Sequence, residues 1–317
     1  MSMRGRFVWE DLMTTDTKSA ATFYNKVAGL KTAPAQFDPS YTTFVASGTG
    51  MGGLMPLAED AKAMGAPPNW LSYVGTDNVD DTVRQAQLLG GNVLKAATDI
   101  PKVGRFAILR DPQGAVFAVF SAAQPFPAQT SVPAGHMSWH ELATTNHAAA
   151  FVFYQQLFGW ETTSEMDMGP QGVYRMFGPA GSKAPFGGIY TKSPQQPGPP
   201  AWLPYIKVAD AKAATEKARS LGAQILHGPA DVPGGGLITT GIDPQGAAFA
   251  LHQSGPAAAP SRAAASPKPR SKPKAKAGTK KRATKPTKKA TKATKKKKAA
   301  PKKKPVKKAT RKAGPKK

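Results

Sequence analysis

The residues best able to act on a small molecule are aromatic and acidic side chains that recur at one spacing in two parts of the chain. Trp9 precedes Asp11 by two residues, and Trp139 precedes Glu141 in the same way. Residues two apart in a β-strand share a face, so Phe7, Trp9 and Asp11 are expected to lie together. An indole stacks on flat rings and cations, and a carboxylate adds negative charge. The pattern predicts a site for a flat or cationic organic molecule.

Residue types that would support other chemistry are scarce. The chain has no cysteine, which excludes disulfides, thiolate nucleophiles and cysteine-based metal sites. Its five histidines lie at or after position 136 and show no Ser-His-Asp spacing that would support a hydrolase. Strand alternation turns His140 away from Trp139, so we expect His140 to be a packing or surface residue.

The two aromatic and acidic pairs belong to an internal duplication, in which Gly5 aligns with Gly135. The matching segments are GRFVWEDLMTTD at 5–16 with GHMSWHELATTN at 135–146, PPNWLSYV at 67–74 with PPAWLPYI at 199–206, and DPQG at 111–114 with DPQG at 243–246. Repeats longer than about fifty residues are duplicated domains, each able to bury a core. We predict a domain at 1–123, a proline-rich linker at 124–134, a second domain at 135–256 and a tail at 257–317.

Each repeat shows the same order of elements. A strand leads to a helix whose N-cap is Asp16 or Asn146 and whose stop is Gly29 or Gly159. The apolar stripe of the first helix is expected at Ala20, Phe23, Tyr24 and Val27. Short strands follow, the pattern begins again, and Asp-Pro-Gln-Gly is expected to join two hairpin strands as a type I turn. The half-repeat therefore predicts β-α-β-β-β, twice per domain.

This organisation resembles the vicinal oxygen chelate superfamily, which includes glyoxalase I, bleomycin-resistance proteins and extradiol dioxygenases. The resemblance rests on Phe-Tyr at 23–24 and 153–154, the helix ends LGG at 89–91 and LGA at 221–223, and the two DPQG turns. It covers essentially the whole chain before the tail. It implies an α+β fold of four βαβββ units paired into two tandem glyoxalase-like domains, each with a cup between its units.

Catalytic members of that family hold a divalent metal in the cup with two histidines and a glutamate. The resemblance places these three positions on Trp9, Trp70 and Ala118 in the first domain and on Trp139, Trp202 and Ala250 in the second. An indole N–H is only a donor, and alanine offers nothing to a cation. The usual metal site is therefore expected to be absent, no cofactor is predicted, and a binding protein is favoured over an enzyme.

Two alternatives concern the cups. The predicted pocket residues are Trp9, Asp11, Trp70, Trp139, Glu141, Trp202 and His252. In one alternative the indoles fill the cups as core. In the other, Glu141 and His252 meet in the second cup as a relocated metal site of a glyoxalase- or dioxygenase-type enzyme. A simpler interpretation of the same two residues is a buried hydrogen-bonded pair.

The tail differs from the rest of the chain in charge. It contains 26 of the 44 Lys and Arg residues and no acidic residue, which leaves 18 basic against 19 acidic residues before it. Scattered prolines and the lack of aromatic residues predict disorder. Such charge density suits DNA or RNA without sequence specificity, as in linker-histone-like arms. The densest clusters are Lys280, Lys281, Arg282, Lys288, Lys289, Lys295, Lys296, Lys297, Lys298, Lys302, Lys303, Lys304, Lys307 and Lys308.

The sequence thus predicts a metal-independent protein that binds a small planar or cationic ligand and is held at nucleic acid by residues 262–317. The runner-up is the metalloenzyme, and a third possibility is a DNA-compacting protein with a purely structural body. No signal-peptide h-region or membrane-spanning run is seen, so a cytoplasmic, nucleoid-associated protein without membrane insertion is expected.

Overall fold

The computed structural model describes residues 3–35, 38, 41–63, 65–124, 132–233 and 235–255. The predictions made for the tail, including its disorder and its nucleic-acid-binding lysines, concern residues outside this description, as do those for most of the linker. All described residues belong to one compact unit.

The first repeat alternates single helices with runs of strands. Its elements are β1 (Phe7–Thr14), α1 (Thr17–Ala28), β2 (Lys31–Pro34), β3 (Thr42–Ala46), β4 (Thr49–Pro56), α2 (Glu59–Ala63), β5 (Asn69–Gly75), α3 (Val79–Leu88), β6 (Asn92–Ile100), β7 (Gly104–Arg110) and β8 (Val116–Ala122). Apart from the short α2 between the two halves, this is the predicted βαβββ unit twice over.

The second repeat has the same order with a 3-10 turn at Gly169–Gln171. Its elements are β9 (Met137–Thr144), α4 (His147–Phe158), β10 (Glu161–Asp167), β11 (Val173–Gly178), β12 (Gly187–Thr191), β13 (Ala201–Lys207), α5 (Ala211–Ser220), β14 (Gln224–Val232), β15 (Gly236–Ile242) and β16 (Ala248–Gln253). The prediction of an α+β fold from four such units is confirmed.

Each repeat forms one eight-stranded sheet. The strand orders are β2-β3-β4-β1-β5-β8-β7-β6 and β10-β11-β12-β9-β13-β16-β15-β14. The opening strands of the two units lie side by side and antiparallel at the centre, as β1 with β5 and β9 with β13. Residues of these central strands point alternately to a face covered by helices and to the opposite face. We call these the helix face and the cup face.

Local signals set the helix ends as predicted. The Asp16 carboxylate accepts a hydrogen bond from the Ser19 N–H at the start of α1, and Gly29 ends the helix in the left-handed conformation with φ of 71°. Asn146 and Gly159 do the same for α4. The predicted stripe of α1 is buried.

The Asp-Pro-Gln-Gly segments form the expected hairpin turns. The Gly114 N–H donates to the Asp111 carbonyl at 3.0 Å, which closes the turn between β7 and β8. The Asp111 side chain also accepts from the backbone N–H groups of Gln113, Gly114 and Ala115. Asp243 plays the same part between β15 and β16.

The two larger hydrophobic cores differ from the expectation that each domain buries its own, because both are shared between the repeats. Helix α1 packs on α5, and the Phe23 ring lies 5.6 Å from that of Phe249 on β16. In the second core the Phe117 ring of β8 lies 5.3 Å from that of Tyr154 on α4. Each core thus joins one unit of the first repeat to one unit of the second. The helices of each repeat therefore pack on apolar residues from the sheets of both repeats.

Candidate functional site

Trp70 and Trp202 lie in these shared cores, which corrects the prediction that they line the cups. The Trp70 Nε1 donates to the Tyr24 hydroxyl at 3.2 Å, and that hydroxyl donates to Asp243 at 2.9 Å. Trp202, Tyr154 and Asp111 repeat the arrangement, with distances of 2.9 Å. Strand alternation on β5 and β13 sends both indoles to the helix face, where apolar residues and a phenol surround them.

The cup faces carry a row of three side chains across the central strands. Trp9 on β1 is paired in register with Tyr73 on β5, which is paired with Ala118 on β8. The equivalent row in the second cup is Trp139, Tyr205 and Ala250. The predicted placement of Trp9 and Trp139 in the cups is therefore consistent with the register, and tyrosines occupy the middle positions that had been assigned to Trp70 and Trp202.

In the first cup, Asp11 is the centre of a closed network. Its Oδ1 accepts hydrogen bonds from the Trp9 Nε1 at 2.9 Å and from the Tyr41 hydroxyl at 2.5 Å, and its Oδ2 accepts from the Tyr73 hydroxyl at 2.7 Å. The side chain is almost fully buried, at 3 % exposure. Burial raises the Asp11 pKa, and the hydrogen bonds from Tyr41, Tyr73 and Trp9 oppose that shift.

The remainder of the first cup is filled by its own side chains. Leu71, Tyr73, Ala118 and Phe120 form a buried cluster on this face. Partly buried residues pack on that cluster: Val8, Trp9, Met13, Val103, Phe106, Ile108 and Ala122. The indole of Trp9 thus acts partly as core, in agreement with the alternative interpretation for this cup.

The second cup holds Glu141 in a less complete network. Its Oε2 accepts from the Tyr174 hydroxyl at 2.8 Å, and its Oε1 accepts from the Tyr205 hydroxyl at 3.0 Å. The Trp139 Nε1 donates to the Tyr174 hydroxyl at 2.9 Å rather than to the carboxylate. The Tyr190 ring stacks near that of Tyr174, with centroids 6.1 Å apart. Glu141, Trp139, Tyr174 and Tyr190 are all partly exposed.

Glycines on the neighbouring strands make room for both networks. Gly53 on β4 is paired with Asp11, and a Cβ there would overlap the Tyr41 hydroxyl. Gly188 on β12 is paired with Glu141, and a Cβ there would overlap the Tyr174 ring. A side chain at either glycine would displace the tyrosine that contacts the carboxylate.

The electrostatics of Glu141 favour a positively charged partner. Burial raises the Glu141 pKa, while hydrogen bonds from Tyr174 and Tyr205 and the charge of His227 lower it. A cation beside the carboxylate would stabilise its ionised form further. The pKa of Tyr174 is raised, first by burial and then by Glu141, so its hydroxyl stays a donor to the carboxylate.

His252 also lies in the second cup, but no contact joins it to Glu141, as the alternative of a relocated metal site would require. Its Nδ1 lies 2.8 Å from the Ser138 Oγ, whereas Glu141 bonds two tyrosines. Burial and the charge of Lys207 lower the His252 pKa. Glu141 of β9 and His252 of β16 therefore belong to separate networks, the second of which reaches β9 at Ser138.

These cups do not fit a divalent metal ion. The rows across the central strands offer an indole, a phenol that donates to a carboxylate, and alanine. Beside them the first cup has the Asp11 carboxylate, and the second has Glu141 and His252 in separate networks, which are too few ligands for a divalent ion. Within the described residues, no group of three or more His, Cys, Asp or Glu side chains could hold a metal. Two surface depressions of about 340 and 420 Å³ lie beside β6 and β7 and contain none of the cup carboxylates or their partners.

A β-bulge explains a further difference from the predicted alternation. The register of β1 with β5 shifts between Phe7 and Trp9, so Phe7 faces the helix side. Its ring stacks on that of His140 at 3.6 Å. His140 is a buried packing residue, as expected, and its Nε2 lies 2.7 Å from the Glu10 carboxylate. Glu10 and His140 occupy equivalent positions of the two repeats, and burial raises the Glu10 pKa.

Sequence reasoning missed the tyrosines and Ser138. Tyr73 and Tyr205 stand at matching places in PPNWLSYV and PPAWLPYI, and Tyr41 and Tyr174 each begin a Tyr-x-x-Phe segment. These repeats were visible signals, but nothing local showed that the hydroxyls would meet a carboxylate two strands away. Ser138 had no such signal, because the first repeat has Val8 at its place.

Comparison with known proteins identifies the family. The profile of the Glyoxalase/Bleomycin resistance protein/Dioxygenase superfamily matches residues 6–119 and 135–251. The chain belongs to this superfamily, with the domain present twice. Its membership confirms the resemblance drawn from the sequence motifs.

Relatives of known sequence cover most of the chain and carry names that refer to different roles. CFP32 of Mycobacterium tuberculosis, provisionally named a glyoxylase, is 33% identical over 257 residues, which cover 78% of this chain and 94% of CFP32. The anthracycline biosynthesis protein DnrV of Streptomyces peucetius is 30% identical over 271 residues, covering 80% and 96% of the two chains.

Solved structures share the fold at low identity. The Mn(II)-bound glyoxalase from Novosphingobium aromaticivorans has a TM-score of 0.56 and 17% identity over 80% of this chain and 83% of its own. The 2,3-dioxygenase LapB from Pseudomonas sp. KL28 has a TM-score of 0.55 and 11% identity over 81% and 94%. In the part of the chain that the structure describes, no helix is both long and apolar enough to cross a membrane.

Proposed function

We propose that this protein binds a flat, cationic organic molecule in its second cup without a bound metal, and that its basic tail holds it at nucleic acid. The observation that carries the first part is Glu141. This residue is partly exposed, and its carboxylate lies among aromatic residues with two hydrogen-bond donors rather than the three side-chain donors of Asp11.

The chemistry of this cup matches a cation with aromatic character. Tryptophan and tyrosine rings attract cations through their faces, and a partly desolvated carboxylate adds a charge-assisted contact. Each carboxylate oxygen of Glu141 accepts one side-chain hydrogen bond and has a further lone pair for a ligand. The name of the relative DnrV is in keeping with this choice, because anthracyclines contain planar fused rings.

The nucleic-acid part of the proposal rests on charge alone. The residues before the tail are close to neutral, and the tail adds 26 positive charges over residues 262–317. Neutralising phosphates with such an arm releases condensed counterions and gives binding that does not depend on base sequence. A ligand-binding body would then be concentrated at DNA or RNA.

The test of the ligand site uses the full chain after nuclease and high-salt treatment. It is titrated with N-methyl-styrylpyridinium, a flat cation, and with uncharged styrylpyridine of the same shape, while tryptophan fluorescence is followed. The cation is expected to bind more tightly, and Glu141→Gln is expected to weaken its binding at least about tenfold through loss of a charge-assisted contact.

Asp11→Asn is the matched control, because it makes the equivalent change in the filled first cup. It is expected to leave the affinity for the cation unchanged. Equal binding of both probes to the unaltered chain would contradict the proposal, and so would an equal effect of the Asp11 and Glu141 substitutions.

A further inference from the structure

The second cup contains a polar pair that the first cup lacks. Ser138 Oγ and His252 Nδ1 lie 2.8 Å apart on partly exposed residues. At the equivalent places the first cup has Val8 and Phe120, which pack against its own hydrophobic cluster. The repeat that keeps its cup apolar and filled therefore has apolar residues at both positions, whereas the repeat with the more open cup has polar ones.

A β-bulge brings Ser138 into the cup. In the pairing of β9 with β13, Tyr205 is opposite Trp139 and Ile206 is opposite Met137, so Ser138 is left out of register. Its hydroxyl consequently reaches His252 on β16, beyond β13. Ser138 therefore joins Trp139 on the cup face, whereas Met137 packs on the helix-side core.

The spacing along β9 gives the site two polar ends. Ser138 and Glu141 are three residues apart, which corresponds to about 10 Å at the usual rise of a strand. Trp139 lies between them along the chain, and its indole N–H donates to Tyr174, which in turn donates to Glu141. The Ser138 hydroxyl already contacts His252 Nδ1 and the Tyr205 carbonyl, so the His252 Nε2 is the atom of this pair for which a ligand can supply a hydrogen-bond partner.

The state of His252 suits this role. Burial and the Lys207 charge lower its pKa, so its ring is uncharged at neutral pH. An uncharged imidazole has one donor and one acceptor nitrogen, and the Ser138 hydroxyl can donate or accept. Together they can accommodate either a hydroxyl or a carbonyl group of a ligand without placing a second charge in the cup.

We propose that Ser138 and His252 are the second contact point for the ligand of the second cup, and that this ligand is a flat cation with a hydroxyl or carbonyl group about 10 Å from its charge. The inference rests on the function proposed above and adds the ligand's second polar group. Glu141 selects for the charge, Trp139 for the flat ring, and Ser138 with His252 for the far polar group.

The test compares two cations that differ in one hydroxyl. The full chain is titrated with N-methyl-styrylpyridinium and with its para-hydroxy analogue, in which the hydroxyl lies at the end opposite the cationic nitrogen. The hydroxy analogue is expected to bind about fivefold more tightly, the factor for one additional neutral hydrogen bond.

The first repeat provides the substitutions for the test. Ser138→Val and His252→Phe insert the residues that the first cup has at these places, and each is expected to abolish the preference for the hydroxy analogue, measured as the ratio of the two affinities in the same variant. Ser138→Ala is a smaller change that should have the same effect. Circular dichroism of each variant checks that the fold is kept.

The outcomes separate this inference from the proposed function. If the unaltered chain binds both cations equally and Glu141→Gln weakens both, the second contact point is wrong and the proposed function stands. A preference that survives in Ser138→Val, Ser138→Ala and His252→Phe also overturns it. If neither cation binds the unaltered chain, the proposed function fails and this inference fails with it.

Discussion

One strand position carries Asp11 in the first cup and Glu141 in the second, and the two side chains have different surroundings. Asp11 accepts three side-chain hydrogen bonds inside a filled cup. Glu141 accepts two and is partly exposed, because Trp139 donates to Tyr174 rather than to the carboxylate. A carboxylate saturated by protein donors stabilises a fold, whereas one with free lone pairs can take a ligand. On the proposed function, the duplication keeps a structural and a binding version of one network.

The two tryptophans of the second repeat are expected to respond differently to substitution. Trp202→Ala empties a buried site and should lower the free energy of unfolding by about 3–5 kcal/mol. Trp139→Ala removes a partly exposed ring, so it should cost less stability but abolish binding of N-methyl-styrylpyridinium. Urea unfolding of the full chain, followed by circular dichroism, measures the first effect. The reverse order of stability losses would contradict the assignment of Trp202 to the core.

The affinity for a cation should depend on pH through Glu141. Burial raises the pKa of this carboxyl, so protonation removes its charge at a higher pH than is usual for glutamate. Affinity for N-methyl-styrylpyridinium should therefore increase as pH rises through that raised pKa and level off above it. Glu141→Gln should flatten the profile. His252→Phe should keep the profile, because His252 bonds Ser138 and does not contact the Glu141 carboxylate.

Metal content is a separate test of the residue assignments. The purified full chain is expected to contain well under one equivalent of tightly bound divalent ion, since each cup has too few ligands for such an ion. Elemental analysis by mass spectrometry measures this. Stoichiometric Zn, Ni, Fe or Mn that is lost on Glu141→Ala or His252→Ala would instead support the metalloenzyme.

Among the elements, those with local signals could be predicted from the sequence. The caps of α1 and the Asp-Pro-Gln-Gly turn depend on residues close in the chain, so their patterns sufficed. The face of Trp70 could not be predicted, because β5 carries large apolar or aromatic residues on both faces. The bulge that turns Phe7 to the helix side and the sharing of cores between repeats depend on distant strands, and no local pattern records them.

The tyrosines that link elements of the two repeats are expected to contribute to the stability of the fold. Tyr24→Phe or Tyr154→Phe removes a hydroxyl that lies between a buried indole N–H and a buried carboxylate. Each change should lower the free energy of unfolding by about 1–3 kcal/mol, because polar groups are left unpaired. Urea unfolding of the full chain checks this.

Tyr190→Phe is the control for both changes. Its hydroxyl accepts a hydrogen bond from the side chain of the exposed residue Gln196, so its loss should change stability by less than about 0.5 kcal/mol. If Tyr24→Phe and Tyr154→Phe cost no more than this control, the links between the repeats contribute little to the stability of the body.

For the molecule as a whole, the uneven distribution of charge was evident from the sequence, since it needs only counting. The residues before the tail have 18 basic and 19 acidic side chains, and the tail has 26 basic and none acidic. The fold of the body and the charge of the tail therefore support different interactions. A ligand bound in the second cup and a polyanion bound by the tail would occupy separate parts of one chain.

Deleting residues 262–317 is therefore expected to remove nearly all affinity for DNA while keeping the binding of N-methyl-styrylpyridinium. The full chain should bind DNA without sequence preference, and its affinity should fall steeply with salt because each phosphate contact contributes about −0.9 to the log–log slope. If a third of the 26 charges engage at once, the slope is about −8. Fluorescence anisotropy of labelled duplexes over a salt series measures it. A slope near about −2, or DNA binding that survives the deletion, would show that the tail is not the nucleic-acid element and would favour acidic proteins or anionic lipid as its partner.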